Sequence, residues 1–175
     1  RPYNRAYFMR LTAKIIKAIP DAAIGVDVMV GFPGETEQAF ESTYQLLQSV
    51  PVAYFHVFPF SPRSGTVADR MGNRVEPKVI RQRSRKMRAL GHEKRVAFYN
   101  RSVGTKSVLV VEKKLKGKGT VYKGISDNYI PVLIRSGEDL TRQAVRATIT
   151  RVDRENRVWG DIEPPGKGVH DDKRV

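Results

Sequence analysis

"DVMVGFPGETEQAF", residues 27–40, passes from an apolar run through a Gly-Pro-Gly turn into an amphipathic segment. The run it closes, "AAIGVDVMV" (22–30), is mostly apolar and rich in β-formers in its second half. That pattern predicts a strand buried on both faces, as in parallel sheets. On the other side of the turn Thr36 has the chemistry of an N-cap and Glu37 suits the first helical turn. Phe40, Tyr44, Leu47 and Val50 then fall on one helical stripe, which Pro51 ends. Upstream, residues 5–19 place Phe8, Leu11, Ile15, Ile16 and Ile19 at helical spacing before Pro20. Downstream, "VAYFHVFPF" (52–60) predicts a second buried strand, followed by the loop "SPRSGTVADRMGNRVEP" and a long helix from residue 77 to about residue 100. Helix–strand–helix–strand–helix is the rhythm of an α/β sheet or barrel with parallel strands.

Beyond Arg101 the period changes. "KSVLVVEKK", "GTVYKGIS", "YIPVLIRS", "AVRATITRV" and "VWGDI" predict five short strands, separated by the turn signals "LKGKG", "SDN", "SGEDL" and "DREN". Five short antiparallel strands in this span predict a small closed barrel of the oligonucleotide-binding (OB-like) kind. The expected organisation is an α/β module over 1–99, a β-barrel over 100–163 and a disordered Pro/Gly-rich, charged tail over 164–175.

Composition narrows the function classes. The chain has 175 residues, 40% of them hydrophobic, and a formal net charge of +14, which favours a polyanionic partner, nucleic acid before an anionic membrane surface. With no cysteine it holds neither a disulfide framework nor a thiolate-bound metal. His56, His92 and His170 lack metal-ligand spacing, and no apolar run is long enough to span a bilayer. The start has neither a signal-like apolar core nor an initiator Met, so the chain reads as the middle or end of a longer protein.

In α/β folds, ligands gather at the C-terminal ends of parallel strands. "GFPGE" closes the first strand there and "FPFSPRSGT" the second. Gly31 and Gly34 leave room for a ring or a phosphate against backbone. The N–H groups of Gly34, Glu35 and Thr36, at a helix N-terminus, suit an anion. Glu35 is a helix-dipole residue before it is a catalyst. Asp27 is either a buried hydrogen-bonding carboxylate or a polar group at the strand edge. His56 shares a face with Tyr54 and Phe58, lumen-facing in a barrel or else a satisfied core histidine. Arg63 is placed to meet a phosphate or carboxylate, or is a surface arginine. On the long helix Lys78, Arg81, Arg83, Arg85, Lys86, Arg88, Lys94 and Arg95 flank an expected buried stripe of Ile80, Met87, Leu90 and Phe98. On the barrel Lys106, Lys113, Lys114, Lys116, Lys118 and Lys123 interleave with Tyr122 and Tyr129, the pairing of cations and rings that single-stranded RNA needs.

With these motifs in view, "DVMVGFPGETEQAF" and "FHVFPFSPRSGTVADRM" together resemble the methylthiotransferases of the radical S-adenosylmethionine superfamily. The residues after Val103 are similar to the TRAM RNA-binding module that ends those enzymes. "FHVFPFS" around His56 and "GISDNYIPV" in the barrel are most similar to the branch acting on N6-threonylcarbamoyladenosine at position 37 of tRNA. The resemblance covers nearly the whole chain up to about Ile162. It implies a cytoplasmic enzyme with S-adenosylmethionine and two [4Fe-4S] clusters. One cluster, held by a CxxxCxxC motif, cleaves S-adenosylmethionine to a 5′-deoxyadenosyl radical, after which sulfur and then a methyl group reach C2 of the adenine. The chain departs from the family in having no cysteine. It matches only the last part of the radical barrel plus the RNA module, so the cluster ligands are expected in an N-terminal remainder of the same enzyme and the chain alone is expected to be inactive. Carried over residue by residue, the resemblance implies contacts to S-adenosylmethionine from Val30, Gly31, Phe32, Gly34, Glu35, Val57, Pro59 and Arg63. It implies contacts to the tRNA anticodon stem-loop from Lys113, Lys114, Lys116, Lys118, Tyr122 and Lys123, with no catalytic acid or base, no metal ligand and no membrane. Two other readings stay open: a stand-alone TRAM-type RNA-binding protein, and the same enzyme class acting on isopentenyladenosine tRNA or a ribosomal-protein aspartate.

Overall fold

The computed structural model describes residues 3–117 and 119–164. The chain divides into two units, Arg1–Phe98 and Tyr99–Val175.

In the first unit α1 (Arg5–Ala18) precedes β1 (Gly25–Val30), α2 (Glu37–Ser49), β2 (Tyr54–Pro59) and α3 (Pro77–Arg101), whose last residues run into the second unit. Local chemistry fixes the helix ends. Asn4 caps α1 by accepting from the Tyr7 N–H at 2.9 Å, and Thr36 caps α2 by accepting from the Ala39 N–H at 3.1 Å. The far end of α2 is closed from another element, since Lys94 of α3 donates to the carbonyls of Gln48 and, at 2.9 Å, Val50. Pro77 opens α3, where its missing N–H costs nothing.

β1 and β2 pair in parallel, Gly25 with Tyr54 through Val30 with Pro59, and the Phe60 N–H donates to the Val30 carbonyl at 2.8 Å to extend the ladder. One face carries Val28, Val30 and Phe55 into a core with Phe40 and Leu47 of α2 and Met87 and Leu90 of α3. Each such side chain contributes about 1.5–3 kcal/mol by leaving water. Gly91 lets α3 approach the sheet, because a Cβ there would lie 3.1 Å from the Phe55 ring.

The expectation of strands buried on both faces is corrected. The other face, with Asp27, Met29, His56 and Phe58, is exposed, because among the described residues two strands have helices on one side only. The α1 stripe is also thinner than its spacing predicts: Leu11 and Ile19 are exposed, and Thr12 is the buried residue.

The second unit is a closed barrel of β3 (Lys106–Lys114), β4 (Val121–Ser126), β5 (Pro131–Arg135), β6 (Ala144–Val152) and β7 (Val158–Ile162) in the order β3-β4-β5-β7-β6. Leu109, Val111, Tyr122, Val132, Ile134, Ile149 and Val158 are buried in it. Gly160 lets strands crowd together, since a Cβ there would stand 3.0 Å from the Thr148 carbonyl oxygen. The barrel is not wholly antiparallel, as the sequence predicts: β5 and β7 pair in parallel, Val132 with Val158 and Leu133 with Trp159. The predicted tail falls almost entirely outside the described residues.

Candidate functional site

The first candidate site lies where β1 and β2 end. Gly31 and Gly34 both adopt left-handed φ values, +79° and +85°, so the turn needs glycine twice. Their surroundings differ. A Cβ on Gly31 would lie 2.4 Å from Ile80 Cγ1, so the space this glycine leaves is filled by α3. A Cβ on Gly34 would meet nothing within 4 Å. The space beside the Gly34 backbone is therefore open.

The turn is fastened from behind. Gly31 N–H donates to Glu35 Oε2 at 2.7 Å, and Arg83 Nη1 donates to the same oxygen at 2.8 Å and to the Glu35 carbonyl at 2.9 Å. Arg83 Nη2 reaches Glu37 Oε2 at 2.9 Å, and its guanidinium lies over the Phe40 ring at 5.3 Å. Only 5% of Arg83 is exposed, so this cation is a fully partnered node joining α3 to the turn and to the start of α2. The N–H groups expected to wait for an anion are partly used: Gly34 N–H donates to the Asn73 carbonyl and Glu35 N–H to the Phe32 carbonyl, both at 2.9 Å.

The remaining predicted residues sort by side. Val30 is buried and Val57 packs against the core, so both support the ledge from below. Phe32, Pro59 and Arg63 are exposed, and Phe32 meets Phe60 edge-on with centroids 5.4 Å apart. Met29 and Phe58, register partners on the open face, are about half exposed and extend the apolar surface. The sequence reading passed over Met29, placed Phe58 only on the His56 face, and counted Arg83 among the outward charges of the long helix, which its 5% exposure corrects. The signal for Arg83 was its place on the Ile80–Met87–Leu90 stripe, where an outward charge does not belong.

The second candidate site is the barrel exterior. Lys113 is exposed opposite Lys123, beside an irregularity in the β3–β4 register. Lys123 is partly spoken for by Glu112 at 2.9 Å. Lys114 lies over the Tyr122 ring at 5.7 Å and Lys116 is exposed in the following turn. Lys118 lies outside the described residues. Tyr122 is corrected: at 2% exposure its ring fills the barrel and offers no face to a base.

An arrangement the sequence reading missed sits at β7. Trp159 Nε1 donates to Asp153 Oδ2 at 2.9 Å, and Asp153 also accepts from the Arg157 guanidinium at 2.8 Å and from the backbone N–H groups of Glu155 and Arg157. The indole bond first, and the Arg157 bonds after it, hold the Asp153 carboxyl well below the usual carboxylate range. The Arg135 and Arg151 guanidiniums lie 5.4 Å and 4.8 Å from the Trp159 ring centroid.

No family model matches the chain. Individual relatives do. It is 31% identical over 153 residues to the threonylcarbamoyladenosine tRNA methylthiotransferase MtaB of Bacillus subtilis (strain 168), covering 86% of this chain and 34% of that protein. The protein of the same name in Aquifex aeolicus (strain VF5) is 30% identical over 85% of this chain and 34% of its own length. The tRNA-2-methylthio-N(6)-dimethylallyladenosine synthase of Thermobifida fusca (strain YX) is 40% identical over 64% of this chain and 23% of its own length. All three of these relatives are named as enzymes that place a methylthio group on tRNA nucleosides. The chain belongs to the radical S-adenosylmethionine methylthiotransferase family, and it spans about a third of the length of the MtaB proteins it matches.

That family uses S-adenosylmethionine and iron–sulfur clusters. Cluster ligands do not fit this chain: the thiolates the resemblance implies are absent from the sequence, and the described residues hold no group of three metal-ligating side chains. S-adenosylmethionine does fit. An exposed aromatic ledge beside a glycine with open space above its backbone suits a flat, partly apolar ligand. Among the described residues no helix is long and apolar enough to cross a membrane.

Proposed function

We propose that the chain is the C-terminal, cofactor-cradling and RNA-gripping portion of a cytoplasmic methylthiotransferase that modifies C2 of N6-threonylcarbamoyladenosine at position 37 of tRNA. The observation that supports this substrate is coverage: relatives named for threonylcarbamoyladenosine match over 85–86% of the chain. S-adenosylmethionine supplies radical initiation and a methyl group in this reaction. Phe32, Gly34 and Pro59 form the ledge it rests on, with Arg63 at the rim. Val30, Gly31, Glu35 and Val57 shape that ledge from within. The barrel acts as a TRAM-type module that holds the anticodon stem-loop, with Lys113, Lys114, Lys116 and Lys123 toward phosphate. Lacking cysteine, the 175-residue chain alone does not restore the modification.

Mass spectrometry of tRNA nucleosides from a strain deleted for the gene tests this. The expected result is N6-threonylcarbamoyladenosine without its 2-methylthio derivative, and an unchanged level of that derivative would overturn the proposal. Higher identity over a shorter stretch, 40% over 116 residues, favours a second reading in which the dimethylallyl (isopentenyl) nucleoside is the substrate. Loss of that methylthio nucleoside instead would select it.

A further inference from the structure

The barrel registers align one row of residues around it, outward-facing at its charged members and buried at Leu133. Lys113 of β3 pairs with Lys123 of β4, Lys123 with Leu133 of β5, Leu133 with Trp159 of β7, and Trp159 with Arg151 of β6. Side chains at paired positions project to the same face, so the row runs around the barrel as cation, cation, aliphatic, indole, cation. Arg135, two residues beyond Leu133 on β5, joins it over the indole ring.

Two further features lie on this row. A hollow of about 280 Å³ opens beside it. Its apolar wall is Leu115, Pro131 and Leu133, Tyr99 supplies a ring, and Lys123 and Arg157 supply charge. Arg135 and Arg151 are exposed, and among the described residues neither forms a salt bridge, whereas Lys106, Lys123 and Arg157 do. Guanidiniums held by an indole and left without a carboxylate are preset for an anion, because little side-chain freedom remains to be lost on binding.

We propose that this outer row is a binding track for an unpaired ribonucleotide segment, with a base seated in the hollow beside Tyr99 and Leu133 and the flanking phosphates on Arg135 and Arg151. The inference rests on the RNA-binding reading of the barrel and moves its centre from the β3–β4 lysines to β5, β7 and β6. An apolar hollow with a ring takes a splayed base but not one stacked in a duplex, so the track selects single strands.

Trp159 is the single tryptophan of the chain, so its emission reports this surface alone. The full chain is titrated with a short single-stranded oligoribonucleotide and with a fully paired RNA duplex, following Trp159 emission and, in parallel, total retention of labelled RNA on a filter. The expected result is a change of Trp159 emission with the single strand, weaker binding of the duplex, and a loss of about tenfold in affinity with a salt slope lower by about 1.4 in the R135Q/R151Q variant. Filter retention without any change in Trp159 emission, or with unchanged affinity and slope in R135Q/R151Q, would overturn the track while leaving RNA binding in place. Equal affinity for the duplex would also overturn it. Absence of retention by the unmodified chain would bring down the RNA-binding reading itself. The emission experiment needs no variant, so a misfolded R135Q/R151Q protein leaves the inference decidable.

Discussion

Gly31 and Gly34 stand three residues apart with nearly the same backbone conformation, yet substitution will separate them. Gly31→Ala adds left-handed strain of about 1–2 kcal/mol and a clash with Ile80 costing about 1–3 kcal/mol. Gly34→Ala carries the strain alone. Urea unfolding should therefore show the larger loss for Gly31→Ala, while Gly34→Ala, placed in the enzyme that holds the clusters, should be the variant that weakens S-adenosylmethionine binding. Equal midpoints for the two would contradict the packing. Arg83 offers a second test at this scale. Arg83→Met leaves the largely buried Glu35 carboxylate without its cation, and removing one partner of such a pair costs about 3–5 kcal/mol. Arg83→Lys should recover only part of this, since a single ammonium cannot span both Glu35 and Glu37. A melting temperature unchanged in Arg83→Met would show that the node is not needed for folding.

Among the elements, the β6–β7 turn makes a pH prediction. The Asp153 carboxyl is lowered in the folded chain from its usual 3.8. A depressed carboxylate contributes stability that is present above its unfolded pKa and is lost as pH falls through the folded value. Resistance to urea, followed by Trp159 emission, should thus fall as pH drops below about 4, and Asp153→Asn should remove most of that fall. A urea midpoint that does not change between about pH 4 and pH 2 would contradict it.

Element by element, what sequence could reveal depended on locality. The Thr36 cap and the bounds of β3, β6 and β7 are written in adjacent residues, through a hydroxyl before a helix and alternation between turn signals. The β5–β7 parallel pairing is not, because it joins strands with another between them in sequence and no local pattern encodes it. Asp27 and His56 turned out exposed because only one face of their sheet is covered, a tertiary fact. Phe32, Pro59 and the β3 lysines are exposed, as their strand-end placement and charge lead one to expect. Trp159 with its two arginines was hidden because its members come from three strands.

For the whole molecule, the formal charge of +14 favours a polyanionic partner, and the proposed RNA binding carries a salt dependence with it. Replacing Lys113, Lys114 and Lys116 together by Ala should lower tRNA affinity and reduce its salt slope by up to about 2–3. A slope that does not change would put the phosphate contacts entirely on other residues.

The order of strands in the barrel has a consequence for biosynthesis. Of the barrel's five strands β7 is made last, yet it sits between β5 and β6. Until residues 158–162 have left the ribosome, both neighbours expose unpaired edges, the condition under which strands from different chains join. A message truncated shortly before this point would yield a sticky, unclosed sheet rather than a smaller domain, so the final few codons of the barrel decide whether everything translated before them is safe.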